Sequence, residues 1–283
     1  MDKLIVGCGY LGRRVARRWV DEGFSVAAAT RRPEAAEEFE QLGIRPMLAD
    51  VTRPETLAAL PPADTLLFAV GYDRSSGATR REVYVDGLGA VLDAVPAETR
   101  RVVLISSTGV YGQNDGSLVD EESPCRPTRE GGRLMLAAEE VLKSHPLGAR
   151  SIVLRLAGLY GPGRIPRLAD LLTGRPIAAS ESGHLNLIHV DDAAAVVVAA
   201  ERHARPPQTY AVSDGHPTRR RDFYLRLGEL FGAASPQFIE RPGEPAPTRV
   251  GSDKRVDNRR MLAELGVRLR YPSYREGLAA IVG

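Results

Sequence analysis

The stretch from Lys3 to Gly12, KLIVGCGYLG, limits what this 283-residue chain can fold into more than any other. Leu4, Ile5 and Val6 form a short apolar run that predicts a buried strand, and Gly7, Gly9 and Gly12 follow in G-x-G-x-x-G spacing. Leu11, Val15 and Trp19 then recur every four residues with Arg13, Arg14, Arg17 and Arg18 between them, the pattern of an amphipathic helix. Strand, glycine turn and helix in this order give the spacing a mechanism. Gly7 permits the tight turn, Gly9 leaves backbone bare for a diphosphate, and Gly12 lets the helix pack on the strand. The helix N-terminus adds free N–H groups and a partial positive charge. Gly7, Gly9, Tyr10, Leu11 and Gly12 are therefore expected to cradle the diphosphate of a dinucleotide.

Phe24 to Thr30 predicts the second strand. An acidic residue that holds the ribose 2′-hydroxyl of NAD normally lies about 20 residues beyond the glycines. Thr30, Arg31 and Arg32 occupy that place here, and no carboxylate follows until Glu34. Two guanidiniums suit a 2′-phosphate, which favours NADP over NAD. The same arginines would also serve a solvated helix start. Ala35 to Leu42 reads as a helix and Arg45 to Leu48 as a third strand. Asp50 and Val51 follow, placed to meet the adenine. Asp50 could equally precede a capped helix, since Thr52-Arg-Pro-Glu55 looks like a capping box.

Asp64 to Val70 and Arg101 to Ile105 are nearly continuous apolar runs, the mark of central parallel strands. The first ends in Ala69, Val70 and Gly71, the second in Ser106, Ser107 and Thr108, all expected at the cofactor crevice. A helix with Leu88, Val91, Leu92 and Val95 on one face lies between them. Glu130 to Lys143 predicts a further helix and Ser151 to Leu156 another buried strand. This alternation argues an α/β fold, a doubly wound parallel sheet of Rossmann type. From Gly158 the chain becomes rich in glycine and proline, as it does again from Arg241 to Pro247, with short elements between, among them Leu187 to Val190 and a helix Asp191 to Ala200. The organisation expected is a dinucleotide domain over 1–160 that also receives 185–215, and an interleaved, loop-rich C-terminal lobe over 161–283.

A net charge of +2 gives no general attraction to nucleic acid or membrane. No apolar run approaches the roughly 20 residues of a membrane span. The chain enters its first strand at once, leaving no room for a signal peptide, and Cys8 and Cys125 suit a reducing compartment, so a cytoplasmic location is expected. Cys8 reads as a small filler of the turn. His189 with Asp191 and Asp192 does not converge as a metal site, because strand neighbours point to opposite faces. His189 reads as structural, Asp191 or Asp192 as the helix cap, and Arg219 to Arg221 as a solvated helix start.

Taken in order, GCGYLG at Gly7, SSTGVYG from Ser106 to Gly112, LRLAGLYGPGR from Leu154 and LNLIHVDDAA from Leu185 resemble the extended short-chain dehydrogenase/reductases, the NAD-dependent epimerase/dehydratases. The tail from Asp253 to Gly277 is similar to an atypical, nucleoside-diphosphate-sugar epimerase-like branch. The resemblance implies a Rossmann fold, a nicotinamide cofactor and a homodimer paired through the helices containing Leu88 and Met135. It also implies a catalytic hydroxyl, for which Thr108 falls in place, and a Tyr/Lys pair four residues apart on one helix. Aligned on Glu139, however, the tyrosine and lysine places are held by Gly131 and Met135; aligned on Glu140, by Gly132 and Leu136. None of the nine tyrosines has a lysine four residues on. Tyr111 is the phenol nearest Thr108 and can stand in as acid or pack under the loop. Tyr160 is placed to touch cofactor or substrate, and Arg164 to bind a substrate anion or lie on the surface. Two functions follow: hydride transfer on an unknown polar metabolite, a nucleotide sugar being one candidate, or a non-catalytic NADP(H)-binding redox sensor.

Overall fold

The computed structural model describes residues 1–239 and 253–282. The glycine- and proline-rich run from Arg241 to Pro247 lies outside the described residues. Seven strands form one parallel sheet: β1 (Lys3–Val6), β2 (Val26–Thr30), β3 (Arg45–Leu48), β4 (Thr65–Phe68), β5 (Arg101–Ser107), β6 (Ser151–Leu156) and β7 (Gln208–Val212). Their order across the sheet is β7-β6-β5-β4-β1-β2-β3. Leu4 is level with Ala27 on one side and with Leu66 on the other. The chain runs outward from β1 to β3 and then returns to the far side of β1. That reversal opens a crevice at the carboxyl ends of β1 and β4, where such sheets bind ligands.

The apolar runs are explained by burial on both faces. Ile5, Leu67, Val103 and Ile152 pack to one side with Val15 and Trp19 of α1 (Gly12–Asp21) and Val196 and Val197 of α5 (Val190–His203). On the same side, α2 (Pro33–Gln41) contributes Ala35 and Phe39. Leu4, Leu66, Phe68 and Leu104 pack to the other side, with Leu88 and Val91 of α3 (Gly87–Ala94) and Ala138 and Leu142 of α4 (Glu130–Ser144). The late elements α5 and β7 complete the sheet and its covering layer. A buried ion pair joins the two ends of this arrangement, Lys3 Nζ to Glu201 Oε1 at 2.8 Å.

Beyond β6 the strand Gly158–Tyr160 pairs with Leu187–His189, and Asp253–Val256 pairs with Asn114–Val119. Tyr160, Leu171, Ile177, Phe223, Leu227 and Leu278 form a separate apolar core there. Several local expectations are corrected. His189 itself caps α5, its Nδ1 accepting the Asp191 N–H at 3.2 Å. Asp192 instead accepts the N–H groups of Arg270 and Tyr271, at 2.8 and 2.9 Å, and so ties down the C-terminal segment. No capping box forms at Thr52: Asp50 accepts its N–H and hydroxyl, and Pro54–Ala59 winds as a 3₁₀ helix. Arg220 is buried rather than solvated and donates to the Ser180 carbonyl at 3.1 Å.

Asp214, just past β7, is buried with one carboxylate oxygen accepting the His216 N–H at 2.9 Å. The other oxygen has no partner among the described residues. Burial pushes this carboxyl up from its ordinary 3.8 to about 8, with the His216 hydrogen bond opposing and Asp192 adding. The folded form therefore holds the proton more tightly than the unfolded chain. Stability from this group is full below the unfolded value and is lost as pH rises toward the folded one. Urea midpoints should fall between pH 5 and pH 8 in the parent protein, and the fall should be smaller in Asp214→Asn. Equal falls in both proteins would refute this.

Candidate functional site

A cleft of about 500 Å³ opens at the sheet reversal and is lined by the glycine turn and the ends of β1, β2 and β4. Gly7 has φ +96°, and a Cβ there would come within 2.4 Å of the Ala69 carbonyl carbon and the Val70 nitrogen. The turn is thus pressed against the end of β4, which only glycine allows. A Cβ on Gly12 would lie 2.7 Å from the Gly7 carbonyl oxygen, so Gly12 serves the approach of α1 and does not line the cleft. At Gly9 nothing lies within 4 Å of the Cβ position. The bare backbone at the start of α1 faces open space, as an approaching diphosphate requires.

Tyr10 and Leu11 line the cleft beside this opening. The Tyr10 hydroxyl donates to the Pro162 carbonyl at 3.1 Å, and the guanidiniums of Arg14 and Arg164 lie 4.5 and 5.4 Å from its ring centre. Arg164 arrives on the Gly161–Arg164 turn and also lines the cleft, beside Tyr10. At the far end Thr30, Arg31, Arg32, Asp50 and Val51 line the wall. Arg31 Nη2 pairs with Asp73 Oδ2 at 3.1 Å across the mouth, both side chains largely exposed. Hydrogen bonds from Ser75 hold the Asp73 carboxyl below the usual range, with Arg31 adding to the effect. The lining carboxylates are thus Asp50, engaged by Thr52, and Asp73, engaged by Ser75 and Arg31.

Ala69, Val70 and Gly71 form the inner end with Val83, Ile105 and Leu159. A π-helical turn, Glu82–Asp86, leads into α3 and carries Val83 to the cleft. Tyr72, Val83, Ile105, Leu159 and Arg164 lie in the cleft although motif spacing does not mark them for the cofactor; the apolar ones look in sequence like ordinary core.

Ser106 and Tyr160 are not brought to the cleft. Ser106 Oγ donates to Glu139 Oε1 at 2.5 Å, beneath the sheet end. Tyr160 is fully buried in the C-terminal core, its hydroxyl donating to the Ser273 carbonyl at 3.3 Å. Tyr111 does not serve the cleft either. It is buried, its hydroxyl accepts from Arg155 Nη1 at 3.1 Å, and Arg155 Nη2 pairs with Glu139 at 2.7 Å. Burial pushes the Tyr111 phenol up to about 12, with the Arg155 charge and hydrogen bond opposing. Thr108 begins the turn Thr108–Val110 after β5; it too is buried and is not among the lining residues, and its hydroxyl makes no hydrogen bond to a side chain among the described residues. The first turn of α4 lies against this segment: a Cβ on Gly132 would be 2.2 Å from the Gly109 carbonyl oxygen. Nothing lies within 4 Å of the Cβ position of Gly131, and Met135 packs on Val110, Tyr111 and Val256. Cys8 is buried with its thiol pushed up to about 12 by burial, an inert filler. Among the described residues no group of three His, Cys, Asp or Glu side chains could hold a metal, and no helix is long and apolar enough to cross a membrane.

The sequence model of the NAD dependent epimerase/dehydratase family matches residues 4–213, which hold the sheet except for Lys3, and the residues that line this cleft. The chain belongs to that family. Protein YeeZ of Escherichia coli K12 is 30% identical over 275 residues, spanning 95% of each chain. A 4-hydroxy-2-methyl-3-oxo-4-farnesyl-3,4-dihydroquinoline-1-oxide ketoreductase of Stigmatella aurantiaca is 28% identical over 239 residues, 80% of this chain and 72% of its own. The solved structure of a conserved protein of unknown function from Silicibacter pomeroyi DSS is 30% identical with TM-score 0.78, covering 99% of this chain and 97% of that one. The likeness therefore extends beyond residue 213, where the family match ends, to nearly the whole chain.

Proposed function

We propose that this protein is an NADP(H)-dependent oxidoreductase that interconverts a carbonyl and an alcohol on a small metabolite. The observation that carries the reading is the cleft itself: open backbone at Gly9 on a helix N-terminus, with Ile105, on the strand that leads to Thr108, among its lining residues. Family membership and the ketoreductase relative support hydride chemistry over simple dinucleotide storage. The bound dinucleotide would supply the hydride. The chain's own residues would do the rest. Gly7 to Leu11 and Arg164 hold the diphosphate, Ala69 to Gly71 and Leu159 flank the nicotinamide end, and the Thr108 hydroxyl orients the substrate oxygen. The family's tyrosine and lysine places fall on Gly131 and Met135, so α4 offers no proton there.

Arg31 and Arg32 at the end of β2, with no acidic residue beside them in the chain, support NADP over NAD. A charge-assisted hydrogen bond contributes about 1.5–3 kcal/mol, and exposure lowers that figure here. Titration followed by the fluorescence of the reduced cofactor should therefore show NADPH binding roughly tenfold or more tighter than NADH. Arg31→Ala with Arg32→Ala should remove most of the difference while leaving NADH affinity nearly unchanged. Equal affinities for the two cofactors in the parent protein would refute the preference. Loss of absorbance at the reduced nicotinamide band, with a panel of ketones and nucleotide sugars, tests the activity. Tight cofactor binding with no turnover on any of them would instead favour the redox sensor.

A further inference from the structure

The chain has three lysines among its 38 basic residues, and they live in three different environments. Lys3 is buried against Glu201. Lys143 is exposed near the end of α4. Lys254 is buried, and no carboxylate pairs with it among the described residues; its Nζ donates to the Tyr111 carbonyl at 3.0 Å. An ammonium buried without a counter-charge is costly. A fold that retains one, when methionine fits most such places, has a use for it.

The position of Lys254 says what that use is. It lies on the strand Asp253–Val256, where Lys254 and Val256 are buried and Arg255 is exposed, so the first two share a face. Val256 packs into the cluster of Val110 and Tyr111, against which Met135 lies. The strand is fixed by Asn186, whose Nδ2 donates to the Lys254 carbonyl at 2.9 Å and whose Oδ1 accepts the Val256 N–H at 2.7 Å. The amine thus meets, from the C-terminal part of the chain, the Thr108–Tyr111 segment, against which the first turn of α4 packs. Met135 there is apolar and the space at Gly131 is open.

We propose that Lys254 is the proton-transfer residue of this protein, supplied by a C-terminal strand in place of the pair that α4 lacks. The inference rests on the oxidoreductase reading. In the reducing direction the substrate carbonyl carbon accepts hydride from the reduced nicotinamide dinucleotide, which is oxidised. The C=O π pair moves onto oxygen, and that oxygen takes a proton from the Lys254 ammonium. The neutral amine left behind recovers its proton from water. The surroundings tune the group for this. Burial, then the positive charges of Arg129 at the start of α4 and of Arg220, bring Lys254 down from 10.5 to about 8. Neighbouring Asp253 is turned to His184, its Oδ1 2.7 Å from the ring nitrogen, and the Tyr111 phenol is held by Arg155. An amine that exchanges its proton near neutral pH suits general acid–base work.

The test uses the full chain grown with ¹³Cε,¹⁵Nζ-lysine, which yields three side-chain signals, and Lys254→Met identifies one by its loss. The Lys254 signal is expected to titrate near pH 8 and to shift when NADP⁺ or NADPH is added. With a substrate from the panel, Lys254→Met should retain cofactor affinity and KM but lose roughly 10²–10⁴ in kcat. Reduction by the parent protein should slow as pH rises through the Lys254 titration. A Lys254 signal that titrates in the ordinary lysine range and stays put on cofactor binding overturns the proposal and leaves the cofactor reading intact. A protein that binds neither dinucleotide overturns both.

Discussion

Glu139→Ala is expected to lower the stability of this protein by roughly 3–5 kcal/mol, because it leaves the Arg155 guanidinium buried with its main counter-charge removed. Arg155 Nη2 and Nε both reach the Glu139 carboxylate, at 2.7 and 3.1 Å, and both side chains are about nine-tenths buried. Ser106 and Tyr111 complete the network from the end of β5 and the turn after it. Thermal unfolding followed by circular dichroism should show a fall in Tm on the order of 10 °C. Replacing both partners, Glu139→Leu with Arg155→Met, should recover most of the loss, since two well-packed apolar side chains need no counter-charge. A single variant within about 1 kcal/mol of the parent would mean that water reaches the pair. The network also supports Thr108, two residues beyond Ser106, so the single variant should disturb the inner end of the cleft as well.

The second large effect separates two glycines of the same turn. Gly7→Ala places a methyl group 2.4 Å from backbone atoms of Ala69 and Val70, at φ +96°. Backbone cannot yield as a flexible side chain can, and the positive φ adds its own strain. The variant should lose about 3 kcal/mol or more and express poorly. At Gly9 a Cβ meets nothing within 4 Å, so Gly9→Val is expected to unfold far closer to the parent temperature than Gly7→Ala. Its branched side chain would fill the space that a diphosphate needs, so NADPH affinity should fall at least about tenfold, as when a charge-assisted hydrogen bond is lost. Paired melting curves and cofactor titrations distinguish the two outcomes. Normal NADPH affinity in Gly9→Val would remove the glycine turn from the binding site.

The sheet was legible in the sequence because its central strands are covered on both faces and therefore read as unbroken apolar runs. The glycine turn was legible because its constraints act on backbone, and only glycine meets them at position 7. Much of the site wall was not. Leu159, Ile105 and Val83 look like core residues and reach the cleft through sheet geometry and a π-helical turn that no periodicity announces. Tyr111 and Ser106 stand beside Thr108 in the chain, yet their hydroxyls are claimed by Arg155 and Glu139, partners 44 and 33 residues away. Capping at α5 went to His189 because the helix begins at Val190, which puts Asp191 and Asp192 inside its first turn, where Asp192 meets the backbone of residues 270 and 271. Lys254 lies 143 residues from the carbonyl it meets, so local spacing gives no hint of it.

The ion pair between Lys3 and Glu201 has a bearing on how the molecule is made. A ribosome delivers the amino-terminal strand first, yet the carboxylate that neutralises its lysine emerges almost two hundred residues later. Glu201 also accepts the Thr65 hydroxyl at 3.2 Å, so β4 waits for the same partner. Until that stretch clears the exit tunnel, β1 and β4 carry polar groups whose native acceptor has not yet been synthesised. In the growing chain the Lys3 ammonium therefore has the Thr65 hydroxyl as a partner well before its counter-charge arrives.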